Sequence, residues 1–167
     1  MNEYDMNAEA SGAVFLTPTG YDTLKAELEN LTLNRRADIA ERIRESQQHG
    51  EFSEDNTELD EVKLEQAIVE NRIAELRGVM GNCFILEPEM IPTDHVGLGS
   101  RVKVEDLDYE ERFDLQVVST VEADPINDMV SSDSPLGTAL MGHLPGDEVI
   151  FEAPDGKKRF KLLAISR

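Results

Sequence analysis

Two long helix-forming runs, residues 18–48 and 56–80, are joined by seven residues, His49-Gly50-Glu51-Phe52-Ser53-Glu54-Asp55, that carry three carboxylates. A chain organised this way has few ways to bury its apolar side chains. In the second run Leu59, Val62, Gln66, Val69, Ile73, Leu76 and Met80 alternate steps of three and four, while Glu58, Asp60, Glu61, Lys63, Glu65, Glu70, Arg72 and Glu75 occupy the flanks. So narrow a seam suits one partner helix and not the broad face of a globular core. The first run is the available partner, and the pattern predicts an antiparallel two-helix coiled coil. Two ordinary helices of a larger bundle are the alternative, but few other helices exist to complete it.

The first run opens at Thr17-Pro18, where Thr caps free amides and Pro has the fixed φ of a first helical residue. Tyr21, Leu24, Leu28 and Leu31 then step by three, four and three. After Leu31 the apolar line moves to Ile39 and Ile43, with Arg35 between, so the stripe slips by one position as at a stutter. At 1.5 Å per residue the run spans roughly 45 Å. Gly78 and Gly81 mark the end of the second run.

Pairing of the runs places the acidic stretch alone at the end of a rod. Carboxylates are ligands for hard divalent cations, yet two or three are too few for a closed site. They suit completion of the shell of a metal that another molecule already holds. The same stretch has structural uses: Asp55 with Glu58 makes a capping box, and Ser53 is the cap in another register. Glu51 and Glu54 have the least structural reason to be there. They are the candidate acids, with Asp55 as cap or third ligand.

Beyond Met80 the composition changes. Strand-like runs recur at Arg101–Val104, Phe113–Val118, Glu148–Phe151 and Lys158–Ile165, with turns at Gly99, Asp124-Pro125, Pro145-Gly146 and Asp155-Gly156. Ser134–Met141 reads as a short helix with a Ser cap followed by Pro135. The expected class is α+β, in four parts: a flexible N-terminal extension over 1–13, the hairpin over 14–81, a linker over 82–95 and a small antiparallel sheet domain over 96–167. Phe113, Phe151 and Phe160 are expected in its core. His95 and His143 are isolated, match no ligand pattern and are expected at surface or turn positions.

A net charge of -19, from 35 acidic and 16 basic residues, repels phosphate backbones and anionic lipid, which argues against autonomous nucleic-acid binding. The single cysteine, Cys83, leaves no intramolecular disulfide and no cysteine-based zinc site. With no basic-then-apolar leader and no apolar run of spanning length, a cytoplasmic protein is expected. A self-paired hairpin needs no second chain, so a monomer is expected.

Several motifs resemble one family. Leu16-Thr17-Pro18-Thr19-Gly20-Tyr21, followed by Leu24-Lys25-Ala26-Glu27-Leu28, is similar to the N-terminal helix of the bacterial Gre transcript-cleavage factors. Gly50-Glu51-Phe52-Ser53-Glu54-Asp55-Asn56-Thr57-Glu58 resembles that family's Gly-Asp-Leu-Ser-Glu-Asn-Ala-Glu signature. Glu122-Ala123-Asp124-Pro125 and Ser134-Pro135-Leu136-Gly137-Thr138-Ala139-Leu140-Met141-Gly142 match its C-terminal domain, which in Gre factors has an FKBP-like fold.

The resemblance implies a transcription elongation factor that docks on RNA polymerase through the C-terminal domain, Ser134, Pro135, Leu136 and Gly137 included. Its coiled coil would enter the polymerase secondary channel. There the tip acids would help hold the polymerase's Mg²⁺ and attacking water, so that the polymerase cleaves its own backtracked RNA. The chain is then no enzyme by itself and has no cofactor of its own; it acts with the polymerase-bound Mg²⁺. Basic coiled-coil residues of Gre factors meet the RNA 3′ end, a part that would fall to Arg35 and Arg42. Pairing with acids, such as Asp38 with Arg42, is the competing role.

Two departures stand out. The family Asp is Glu51 here, one methylene longer, and the tip carries one extra residue. Anchoring on Gly50 pairs Glu54 with the family Glu; anchoring on Asn56 makes Asp55 that residue. The alternative function is a Gre-like inhibitor or modulator that occupies the channel without cleavage. An isomerase drawn from the FKBP-like fold alone has little support in a chain with no Trp and 5% aromatic residues.

Overall fold

A computed structural model describes residues 12–49 and 57–167. The described chain forms two compact units, Tyr21–Asn82 and the remainder.

In the first unit, α1 (Pro18–Asn30) runs through a π-helical segment (Leu31–Arg35) into α2 (Arg36–His49), and α3 (Thr57–Gly81) returns alongside. The ion pairs Arg36–Glu70, Arg42–Glu65 and Arg72–Glu27 connect rising numbers on one side with falling numbers on the other, so the pairing is antiparallel. Ile39, Val62, Val69 and Ile73 are buried together, with Leu28, Leu31 and Ile43 packed against them. The expected seam is therefore the seam observed, except that Gln66 faces solvent.

The first run is not one uninterrupted α-helix. Leu31 to Ile39 is a step of eight where a heptad has seven, and an α-helix would carry Asp38 onto the seam. Instead Arg36 N–H bonds the Leu31 carbonyl, five residues back, and the wider turn absorbs the extra residue. Ile39 is thereby restored to the interior at 1% exposure, while Leu33 is turned out.

In the second unit, β1 (Val14–Leu16) pairs in parallel with β2 (Cys83–Ile85), and Leu86 N–H donates to the Leu16 carbonyl at 2.7 Å. Position 14, expected to open the hairpin, thus begins a strand, and the stretch expected as a linker contains that strand's partner and a 3₁₀ turn at Pro88–Met90. Three-residue apolar runs are too short to reveal a period. Five further strands, β3 (Arg101–Asp106), β4 (Glu111–Val118), β5 (Met129–Ser131), β6 (Glu148–Ala153) and β7 (Gly156–Ser166), form one sheet in the order β5-β4-β3-β7-β6. It is antiparallel apart from the β4–β5 pair.

Along β3 the pattern alternates, with Val102 and Val104 buried and Arg101 and Lys103 exposed, as a sheet with one wet face requires. The buried face meets α4 (Pro135–Leu140) through Leu140, Val149 and Leu162. Phe160 lies edge-on to Phe113 at 5.3 Å and to Phe151 at 4.9 Å, so the three expected aromatics do share the core.

Candidate functional site

The tip acids Glu51, Glu54 and Asp55 lie outside the described residues, as do Gly50, Ser53 and Asn56. What is described is the pair of helices that flank them in sequence: α2 runs to His49 and α3 resumes at Thr57. The expected capping box of Asp55 with Glu58 also falls in part outside that range. Among the described residues no group of three or more His, Cys, Asp and Glu side chains is placed to hold a metal. His95 is exposed beside Asp94, whose carboxyl it holds below the usual range by a 2.8 Å hydrogen bond, and His143 sits in the turn after α4.

The shaft is laced with ion pairs. Arg36 donates through Nε and Nη2 to the two oxygens of Glu70 at 2.7 and 2.6 Å. Those bonds hold Glu70 below and Arg36 above their ordinary pKa values. Arg72 grips Glu27 in the same bidentate way at 2.7 and 2.9 Å and reaches Glu75 as well, which keeps its guanidinium charged. Arg35 and Arg42, the expected RNA-facing pair, both donate to Glu65 across the hairpin, at 2.5 Å from Arg42. The partner of Arg42 is thus Glu65 and not Asp38; Asp38 lies 4.0 Å from Arg35 instead.

A second constellation joins two of the motifs that carry the resemblance. Thr17 caps α1, its Oγ1 accepting from Gly20 N–H at 3.0 Å. The same hydroxyl donates to Glu122 Oε1 at 2.5 Å, and Thr17 N–H donates to Oε2 at 2.9 Å. Glu122, 6% exposed, so closes the helix start with a carboxylate at the positive end of the dipole. A Cβ at Gly20 would fall 1.7 Å from Oε1, which explains a glycine inside the first turn. Helix propensity alone would favour alanine here by about 1 kcal/mol. Displacing a buried carboxylate from both bonds costs more, and Gly20→Ala is expected to lose about 1–3 kcal/mol net. Urea unfolding of the two proteins measures it; an unchanged or raised midpoint contradicts the close approach.

The other motif has local work too. Ser134 Oγ accepts from Gly137 N–H at 3.0 Å and donates to the Ser131 carbonyl at 2.7 Å, Pro135 takes the first helical position, and Leu136 packs on the core. Of the four expected docking residues, Pro135 is the exposed one, while Gly137 is buried. Glu122 and Glu65 carry roles that spacing alone did not mark. Glu65 flanks the seam across from Arg35 and Arg42, a cross-hairpin relation that a register would have disclosed.

A slender antiparallel hairpin joined to a small sheet domain, with an acidic connection at the hairpin end, defines the architectural class. The family model described as transcription elongation factor, GreA/GreB, C-terminal, matches residues 91–167, and that described as transcription elongation factor, N-terminal, matches residues 14–85. The transcription elongation factor GreA of Clostridium kluyveri is 41% identical over 152 residues, 91% of this chain and 95% of the relative. GreA of Acetivibrio thermocellus is 42% identical over 154 residues, 92% and 96% of the two chains. The crystal structure of GreA factor homolog 1 of Thermus thermophilus shares 34% identity, covering 93% of this chain and 99% of that one, with a TM-score of 0.43. The chain belongs to the GreA/GreB family of transcription elongation factors.

Proposed function

We propose that the chain binds bacterial RNA polymerase, passes its coiled coil down the secondary channel and stimulates the polymerase's own cleavage of backtracked RNA. The observation that carries this is the antiparallel shaft whose helices end on either side of residues 50–56, in a chain of this family. α3 alone, 25 residues, is roughly 37 Å long, about twice the usual helix of a globular domain.

Glu51 and Glu54 act as the acids, with Asp55 as cap or third ligand, and they complete the shell of a Mg²⁺ held by the polymerase. The factor contributes ligands and position while the polymerase supplies the reaction, so it is an accessory protein without a cofactor of its own. Arg35 and Arg42 face the RNA 3′ end, and the surface around Pro135 takes part in docking. The protein works as a monomer in the cytoplasm, where its partner is found.

The test is to add the purified chain to a stalled, backtracked elongation complex in Mg²⁺ and follow the labelled RNA. Short 3′ fragments should appear, and none at saturating factor would count against cleavage. Glu51, where the family has Asp, favours one further possibility: a factor that occupies the channel and slows nucleotide addition. In that case the same complexes bind the chain, elongate more slowly and release no fragments.

A further inference from the structure

Four arginines along the hairpin bind carboxylates across it, in two different ways. Arg36 and Arg72 each give two nitrogens to one glutamate, Glu70 and Glu27, in closed bidentate pairs. Arg35 and Arg42 instead share one carboxylate, each giving Glu65 a single nitrogen: Arg35 Nη2 to Oε1, and Arg42 Nη1 to Oε2 at 2.5 Å. The carboxylate is the more covered partner, its side chain 24% exposed against 45% and 47% for the two guanidiniums. A guanidinium has five N–H donors in a planar fork, and a single bond commits only a part of it.

Resting on the assignment of Arg35 and Arg42 to the RNA contact, we infer that Glu65 is a resident counter-ion which sets the strength of that contact. A phosphodiester is an anion that seeks the same guanidinium donors as a carboxylate. To approach Arg35 and Arg42 it must displace Glu65 or bind against its charge. Glu65 also holds the two cations together, which works the other way by organising the site. Charge prevails at this distance: a unit charge a few ångströms from the anion outweighs the ordering of two exposed side chains. Glu65 is accordingly a tuning residue that keeps the basic pair from gripping RNA tightly, while Arg36 and Arg72 remain in their own closed pairs.

The test uses the full chain with a backtracked elongation complex whose RNA ends in a photoreactive thiouridine, at about 0.15 M salt. Crosslinking of that 3′ end to the factor is read with no need for cleavage. Glu65→Gln is expected to raise the yield about 3–10-fold over wild type. Glu65→Asp, which keeps the charge, should stay near wild type. Glu61→Gln removes the same charge from an exposed site on the same helix and should leave the yield unchanged. Adding Arg35→Ala and Arg42→Ala to Glu65→Gln should bring it below wild type. Equal yields from Glu65→Gln and wild type, or an equal rise with Glu61→Gln, would overturn the inference. Wild-type chain that fails to co-purify with the polymerase would instead overturn the functional assignment, and this role of Glu65 with it. Helical circular dichroism of Glu65→Gln should match wild type; a rise in crosslinking that accompanies lost helicity would count as overturning.

Discussion

Glu51→Ala and Glu54→Ala should each lower the rate of stimulated transcript cleavage on the order of 10²-fold or more, with binding to the polymerase retained. The magnitude follows from position. A ligand on a metal, or on its attacking water, acts only when held within a fraction of an ångström, and a shift of about 1 Å can cost 10²-fold. On the proposed mode, binding rests on the shaft and the sheet domain, which neither substitution alters, so the loss should fall on the rate at saturation and not on the concentration needed to reach it. Glu51→Asp discriminates between the two possible activities. If the added methylene is what weakens cleavage, shortening the side chain should accelerate it by up to about tenfold. If the factor blocks the channel, Glu51→Asp should leave the slowed elongation as it was. Quenched-flow cleavage of a single backtracked complex, with co-purification measured in parallel, separates these outcomes. Full cleavage by both alanine variants would remove the tip from the mechanism.

Much of the hairpin was legible because a seam is a one-dimensional property. Val62, Val69, Ile73 and Leu76 could be placed inside from their spacing alone, and all four are buried. Even the break after Leu31 was visible, as a stripe that slipped by one position. What spacing could not say was how the chain would absorb the slip, since a long gradual adjustment and one π turn have the same sequence period. Pairings between distant segments were the harder part. β5 is three residues long and parallel to β4, and β1 finds its partner almost seventy positions later, at Cys83–Ile85. Nothing local announces either. The same limit applies to Glu122, whose carboxylate reaches Thr17 across 105 positions. Both ends of that contact lay in motifs singled out for their resemblance. The structure gives the Thr17 and Gly20 end a steric reason and the Glu122 end an electrostatic one.

Gly137→Ala is expected to cost the sheet domain about 2–4 kcal/mol, more than the same change at Gly20. A Cβ at Gly137 would fall 1.9 Å from the Ser131 carbonyl oxygen, 2.8 Å from its carbon and 3.0 Å from Ser132 Cα. These are backbone atoms, and they are not at liberty to move. Ser131 pairs with Val118 at the end of β5, and Ser132 N–H donates to the Val118 carbonyl at 2.8 Å. The Ser131 carbonyl itself accepts from both the hydroxyl and the N–H of Ser134, the residue that caps α4. Relief of the clash must therefore lift the helix from the sheet, peel β5 from β4 or break the cap. Lifting the helix also withdraws Leu136 and Leu140 from the core they help fill. At Gly20 the obstacle is the end of a side chain, which can swing aside at the loss of two hydrogen bonds; at Gly137 it is main chain held on both sides. Thermal unfolding should show a fall of roughly 8–30 °C in the sheet-domain transition. Polymerase binding by the variant, measured below that transition, should weaken if docking uses the surface around Pro135. A stability equal to wild type would mean that α4 stands off β5 by more than the structure allows.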